Sequence, residues 1–354
     1  MLFLSHREAA HWKRMAAEVL RTGALPGDIP CPVRKNLLPA FHFYLGTLLI
    51  SKGMREAGRE WLASGTVIEE DGLFSSAFLI GFLERHEGRF VQPDVVFRDP
   101  RPFIHFSGVP VMASARERFV SQATHSLPEF REPLRMMDIG CGNGTLTVTL
   151  LESLTASGKA GNVAEVMLVD PSPAMLSLAE TEVREAFPDA SVTTINHSFQ
   201  EFSGKLKGHY DLAISSLAFH HMPIEEKRVQ LARLAPMIDH FLLFELDANN
   251  DTPEYGSPEL ALSLYQSYGR IIDFVFSHDA PVEVAIACVD LFLITELVSF
   301  LTEHRGVRKD YHMLRSQWND LFASSFGPEF SLRCDSPCYA DEYLTLFTMH
   351  YGRE

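Results

Sequence analysis

Positive charge is in short supply in this 354-residue chain: 31 lysines and arginines face 46 aspartates and glutamates, a formal net charge of −15. A polyanion would meet a strongly acidic surface, so nucleic acid is not an expected partner. The deficit is uneven, because the first 105 residues hold 13 basic and 12 acidic side chains and the remainder 18 and 34. Cysteine is scarce too. Cys31, Cys141, Cys288, Cys334 and Cys338 form an odd, scattered set, which predicts reduced intracellular thiols rather than a disulfide framework. No leader-type apolar run opens the chain, since Met1-Leu2-Phe3-Leu4 passes straight into Ser5-His6-Arg7-Glu8. The most apolar stretch, Val282 to Leu301, carries Glu283, Asp290 and Glu296. Each is costly at a bilayer centre, so no membrane span or membrane partner is expected. A cytoplasmic globular protein of about two domains is the expectation, with 26 phenylalanines to fill its cores.

Apolar positions recur at helical spacing in 9–20, 37–50, 57–68 and 74–83, with breaks at 23–32, Gly53, Asp71-Gly72 and Gly88. Leu45-Gly46 followed by Gly53 is matched 35 residues later by Ile80-Gly81 followed by Gly88. The match resembles the tetratricopeptide repeat, a helix pair of about 34 residues; a plain helical bundle is the other reading. Pro93, Pro100, Pro102 and Pro110 predict a helix-free connector over 91–110, with a helix resuming over 112–124.

From Leu134 the texture changes. Short apolar runs at 134–139, 163–169, 192–195, 210–215 and 241–246 read as five strands, with helical patterns at 145–154, 173–186 and 225–234 between them. Such alternation implies crossover units and a parallel sheet covered on both faces. Strand-like segments at 330–333 and 343–350 suggest an antiparallel hairpin on the sheet edge. The mostly helical stretch 257–326 is too long for one crossover and reads as an inserted lid. The expected organisation is therefore a helical domain over 1–110 and an α/β domain over 111–354.

The strongest chemical signal is Met136-Met137-Asp138-Ile139-Gly140-Cys141-Gly142-Asn143-Gly144-Thr145. A strand runs into three glycines and then a helix, letting a ligand approach the main chain without interference from Cβ atoms. The dinucleotide fingerprint needs a glycine where Thr145 stands, which disfavours a nicotinamide cofactor. A phosphate-binding P-loop is excluded because no Gly-Lys-Ser/Thr follows.

The segment resembles the first motif of class I S-adenosylmethionine-dependent methyltransferases, Asp/Glu-x-Gly-x-Gly-x-Gly. The resemblance runs from about Leu134 to the C-terminus, apart from the helical insertion, and is to the small-molecule branch. It implies a Rossmann-like seven-stranded sheet with S-adenosylmethionine as cofactor. Asp138 would position the amino group of the cofactor, with Gly140, Gly142 and Gly144 giving backbone contacts. Asp170, in Val169-Asp170-Pro171-Ser172 at the end of the second strand, would accept hydrogen bonds from both ribose hydroxyls. Ser198 stands where relatives often carry an acid for the adenine amino group; Ser198 and Phe199 are expected to bond and cover the ring. The fourth motif, Tyr210 through Ser216 to His220-His221-Met222, completes the cofactor set with Ser216. It lacks the Asn/Asp-Pro-Pro-Tyr/Phe sequence of methylases acting on DNA bases and protein glutamine.

His221 and Glu245 are the candidates for catalysis, because a histidine near neutral pH or a carboxylate raised by burial can take a proton. His220, Asp247 and Tyr255 are candidate substrate contacts. Cys334-x-x-x-Cys338 alone is too little for a zinc site, and no metal is expected. Methyl transfer to a small or medium organic molecule follows as the expected function, with a homodimer through the helical domain as a further expectation. A module that recruits or methylates a protein through its helices is the alternative.

Overall fold

Ser5 starts the first helix. Its side chain and that of Glu8 bond reciprocally to each other's backbone N–H, and Gly23 closes the helix at φ 69°. The computed structural model describes residues 1–30, 32–93 and 98–354, so Cys31 and part of the expected connector lie outside the described residues. Helices α1 (His6–Thr22), α2 (Leu38–Ser51), α3 (Arg55–Val67) and α4 (Ser76–Arg85) come first, then α5 (Arg101–Gly108) and α6 (Pro110–Ser126). Strands β1 (Leu134–Ile139), β2 (Val163–Val169), β3 (Ser191–Ile195), β4 (Tyr210–Ser216) and β5 (Ile238–Leu246) follow. Helices α7 (Thr145–Ala156), α8 (Pro173–Ala186), α9 (Phe199–Phe202) and α10 (Ile224–Leu234) alternate with them. Next come α11 (Pro258–Phe276), α12 (Val282–Cys288), α13 (Ile294–Thr302) and α14 (Arg315–Ser325), and last β6 (Phe330–Ala340) and β7 (Thr345–Arg353).

The chain divides into two compact units: residues 1–96 with 248–310 and 341–344, and residues 97–247 with 311–340 and 345–354. In the first, α2 is buried on every side, the pattern of a central core helix. Two glycines let α3 lie against it. A Cβ on Gly46 would fall 2.6 Å from Leu62 Cγ, and one on Gly58 2.8 Å from the Gly46 carbonyl. Gly81 meets only the flexible end of Arg85, so the 35-residue match is shared mainly in the helix-ending glycines, Gly53 and Gly88, both at positive φ. Helix α11 belongs to this unit: Ser75 Oγ donates to the Tyr265 carbonyl at 2.7 Å, and the Phe43 and Tyr265 rings pack at 5.5 Å. The segment Val282–Thr302 is long and apolar enough to cross a membrane by length and composition. Two of its acids are engaged within the unit, Asp290 by a bidentate bond from Arg85 and Glu296 by the Tyr268 hydroxyl at 2.5 Å.

Two expectations need correction. A helix does form in the connector, as α5, because its prolines sit where helices tolerate them: Pro100 caps it, Pro102 lies in its first turn, and Pro110 opens α6. The inserted segment also divides: 258–302 clusters with the N-terminal helices, whereas α14 joins the sheet and lies against α10. Accordingly α5 falls in the second unit, ahead of the expected boundary at 110, with α6 following it there as expected.

The second unit is built on a seven-stranded sheet of order β3-β2-β1-β4-β5-β7-β6. Its first five strands are parallel, and β7 pairs antiparallel with both β5 and β6. Phe241, Trp318, Phe322, Phe326 and Tyr351 fill the core between one sheet face and α14.

A histidine pair on adjacent strands, half-buried His240 of β5 and buried His350 of β7, sets a pH limit on stability. His350 Nε2 lies 3.1 Å from His240 Nδ1, and its Nδ1 lies 2.9 Å from Ser126 Oγ. Burial pushes the His350 pKa down to about 3. The folded imidazole stays neutral while the unfolded one protonates below roughly 6.5, so stability falls as pH drops through that value. Denaturant titrations should show the His350→Gln variant losing about 1–2 kcal/mol less than the wild type between pH 7.5 and 5. Parallel pH slopes would contradict this assignment.

Candidate active site

Strand order reverses at β1, which pairs with β2 on one side and β4 on the other. In open parallel sheets ligands bind beyond the carboxyl ends of the strands at such a switch point. The glycine turn lies there, with Gly140, Gly142 and Gly144 at φ 75°, 53° and 81°. A Cβ at Gly140 would fall 2.2 Å from Ala218 Cβ, and one at Gly144 2.6 Å from Ala179 Cα in α8. Those two glycines let the turn touch the loop after β4 and the helix after β2. The turn's own N–H groups are largely spoken for. Gly140 and Cys141 donate to the Val169 carbonyl, Gly142 to Asp170 Oδ2, and Gly144 to the Cys141 carbonyl. The glycines therefore offer a ligand open backbone and remaining carbonyls rather than a row of donors.

Asp138 is buried one residue before the end of β1, ahead of this turn. One carboxylate oxygen, Oδ2, accepts from the Thr147 hydroxyl in α7; the other, Oδ1, is buried with no hydrogen-bond partner. Burial, with Asp170 adding to it and Thr147 opposing, pushes the Asp138 pKa up to about 7. Asp170 Oδ1 accepts from Ser172 N–H at 2.8 Å and Oδ2 from Gly142 N–H at 3.0 Å, leaving each oxygen capacity for a further donor.

Ser198 and Phe199 have other occupations. Ser198 caps α9, its hydroxyl donating to Glu201 at 2.9 Å, and the Phe199 ring lies in the core 6.0 Å from Phe219. Ser216, partly exposed, ends β4 opposite Phe244.

Beyond β5 the geometry concentrates on Glu245, which is fully buried. His220 Nδ1 lies 3.1 and 3.0 Å from its two oxygens, and the His220 backbone N–H donates to Oε1 at 3.3 Å. His312, on the chain returning from the first unit, places Nδ1 3.8 Å from Glu245 Oε2 and its ring 4.0 Å from that of His220. Burial opposes ionisation of Glu245, but the two imidazoles outweigh it and hold the carboxyl well below its usual range. Burial lowers the His220 pKa against the pull of Glu245. The neutral ring then donates Nδ1–H to the carboxylate, and Nε2 is a buried acceptor with no hydrogen-bond partner. Donor atoms of His220, Glu245 and His312 lie within 4.8 Å of one another, so this cluster has metal-ligand spacing that was not expected. Cys334 and Cys338 belong to no such cluster among the described residues; the Cys338 thiol bonds to Thr348 Oγ1.

Three further expectations shift. His221 is exposed and its charge acts on Asp170, so it sits on the Asp170 side of the site. Asp247 Oδ1 accepts from the Arg315 N–H at 2.9 Å, capping α14. Tyr255 belongs to the first unit, where its hydroxyl donates to Ser51 Oγ and Lys52 lies over its ring.

Residues 136–239 match the methyltransferase-domain family. The second unit is a class I S-adenosylmethionine-dependent methyltransferase domain. Two curated relatives agree. The probable S-adenosylmethionine-dependent methyltransferase CRG1 of Saccharomyces cerevisiae is 29% identical over 140 residues, 40% of this chain and 44% of that protein. An uncharacterized methyltransferase of Bacillus licheniformis is 32% identical over 151 residues, 43% of this chain and 54% of that protein. The alignments thus span about half the length of these relatives. In fold, the chain is similar to SCL7 of Oryza sativa, with a TM-score of 0.60, 14% identity, and coverage of 87% of this chain and 99% of that one.

The residues of the methyltransferase domain fit its cofactor, S-adenosylmethionine, on the structure's own terms. An orphaned buried carboxylate oxygen on Asp138 suits an ammonium, and Asp170 retains acceptor capacity for a diol. One consequence is measurable. Asp138 must be ionised to hold an ammonium, so affinity for S-adenosylhomocysteine should fall as pH drops below about 7, approaching tenfold per unit. Calorimetry between pH 5.5 and 8 should show that slope in the wild type and its loss in Asp138→Asn; equal slopes would assign the titration elsewhere. His312 and Thr147 were not among the sequence candidates for these roles. Thr147 follows the motif by one helical turn, but His312 returns after a long insertion with no motif to mark it.

Proposed function

We propose that this protein transfers the methyl group of S-adenosylmethionine to a small or medium organic molecule bearing a removable proton on oxygen, nitrogen or sulfur. The observation that carries the reading is Asp138 ahead of the glycine turn, buried with one unpartnered oxygen at the switch point of the sheet. S-adenosylmethionine supplies an already activated methyl on a cationic sulfur, so the protein's task is alignment, exclusion of water and proton handling. Asp138 holds the ammonium and Asp170 the ribose hydroxyls. His220 takes the acceptor's proton at Nε2, while Glu245 fixes the ring by accepting Nδ1–H and stabilises the cation that forms. Glu245 thereby acts through His220 as a positioning residue. The acidic charge and the lack of an Asn/Asp-Pro-Pro-Tyr/Phe motif support a small acceptor over nucleic acid.

The test is a screen for S-adenosylhomocysteine formation from S-adenosylmethionine, with panels of phenols, carboxylic acids, amines and thiols beside peptide and nucleic-acid substrates. Turnover confined to small molecules supports the reading. Turnover on peptide or nucleic acid alone would overturn it.

A further inference from the structure

Glu245, in β5, is a buried carboxylate without a fixed cation. Its ionisable neighbours among the described residues are two imidazoles, His220 and His312, and no lysine or arginine lies in ion-pair reach. Two neutral imidazoles leave one negative charge uncompensated, which a site away from water bears poorly. The three side chains also converge. His220 Nδ1 lies 3.0 Å and His312 Nδ1 3.8 Å from Glu245 Oε2, and one donor atom from each residue falls within 4.8 Å of the other two. Around a tetrahedral zinc ion, with bonds of about 2.0–2.2 Å, neighbouring donors stand about 3.3–3.6 Å apart. Main-chain bonds hold the set in place. The N–H groups of His220 and Leu246 each reach a Glu245 oxygen at 3.3 Å. Tyr311 donates its N–H to the His220 carbonyl at 2.7 Å and accepts from Lys227 Nζ of α10 at 2.5 Å, so the residue before His312 is anchored on both sides. Imidazole with carboxylate suits zinc, whereas calcium and magnesium take oxygen ligands.

We propose that His220, Glu245 and His312 form a three-ligand zinc site whose occupation switches methyl transfer off. The inference rests on the reading of His220 as the base and deepens it by giving that base a regulator. When zinc takes His220 Nδ1, the proton that Nδ1 donated to Glu245 leaves, and the neutral ring carries its one proton on Nε2 instead. Nε2 then donates and no longer takes the proton of the methyl acceptor. His220 gains and loses no net proton in the exchange, and no electron moves.

The experiment uses the full chain without a histidine tag, stripped of metal by a chelator, with zinc chloride as the probe. Titration against a chromophoric zinc chelator should show one zinc per chain, and magnesium should not compete. Glu245→Gln and His312→Gln should each weaken zinc binding by roughly 100-fold or more. Calorimetric binding of S-adenosylhomocysteine shows that each variant is folded. Cobalt in place of zinc should give visible d–d bands without the near-ultraviolet thiolate band that binding at the cysteines would produce. On an acceptor found by the screen, zinc should lower the wild-type kcat in step with its occupancy, and the chelator should restore it. The inference is overturned if no zinc binds, if both variants bind it like the wild type, or if the zinc-loaded chain turns over as fast as the metal-free one. A chain that takes zinc at these ligands yet binds no S-adenosylhomocysteine removes the cofactor reading and the switch with it, and leaves the metal site standing.

Discussion

Replacing Gly140 with alanine should abolish cofactor binding and lower stability by about 2–5 kcal/mol. The magnitude has two sources. An L-residue at φ 75° costs roughly 1–2 kcal/mol, and a Cβ placed 2.2 Å from Ala218 Cβ forces a backbone shift worth roughly 1–3 kcal/mol. Ala218 leads directly into His220, so the shift spreads from the cofactor turn to the candidate base. Thermal unfolding gives the stability, and titration with S-adenosylhomocysteine gives the affinity. Gly158, also at positive φ but with open space around it, is the control: Gly158→Ala carries the conformational cost without the collision. Equal losses at the two positions, or a Gly140→Ala protein binding as well as the wild type, would contradict this account of the turn.

The second large effect is expected at His220. The His220→Gln variant should lose about 10²- to 10⁴-fold in kcat on whichever acceptor the screen identifies, with cofactor affinity unchanged. Glutamine still donates to Glu245, so the buried carboxylate keeps a partner and the fold is spared the several kcal/mol of an orphaned charge. Glu245→Gln should also leave cofactor affinity intact and reduce kcat less, because His220 remains as a base without its carboxylate. The pH–rate profile of Glu245→Gln should be shifted from that of the wild type, since removing the carboxylate changes the basicity of Nε2. Wild-type turnover in His220→Gln would make the pair a structural bond only.

Much of the sheet was legible because strands buried on both faces announce themselves as apolar runs. β1 and β2 match the expected limits residue for residue, and the terminal strands form the expected antiparallel edge. Asp138 and Asp170 were legible for a related reason, as acids at strand ends beside a glycine turn. Other features depend on what folding brings close. Phe199 reads as a loop aromatic, yet it packs against Phe219 from another element. Asp247 was a candidate rim acid, but its partner is the N–H of Arg315, 68 residues away. The prolines of 91–110 misled because their effect depends on register: at a helix start the missing N–H costs nothing.

The central claim is that the β1–α7 turn of this chain is an S-adenosylmethionine site, and calorimetric titration of the purified wild-type chain with S-adenosylhomocysteine tests it most directly. The account predicts saturable binding of one ligand per chain, competed by S-adenosylmethionine and weakened in Asp138→Ala. No binding by a folded chain, or binding indifferent to Asp138, would contradict it.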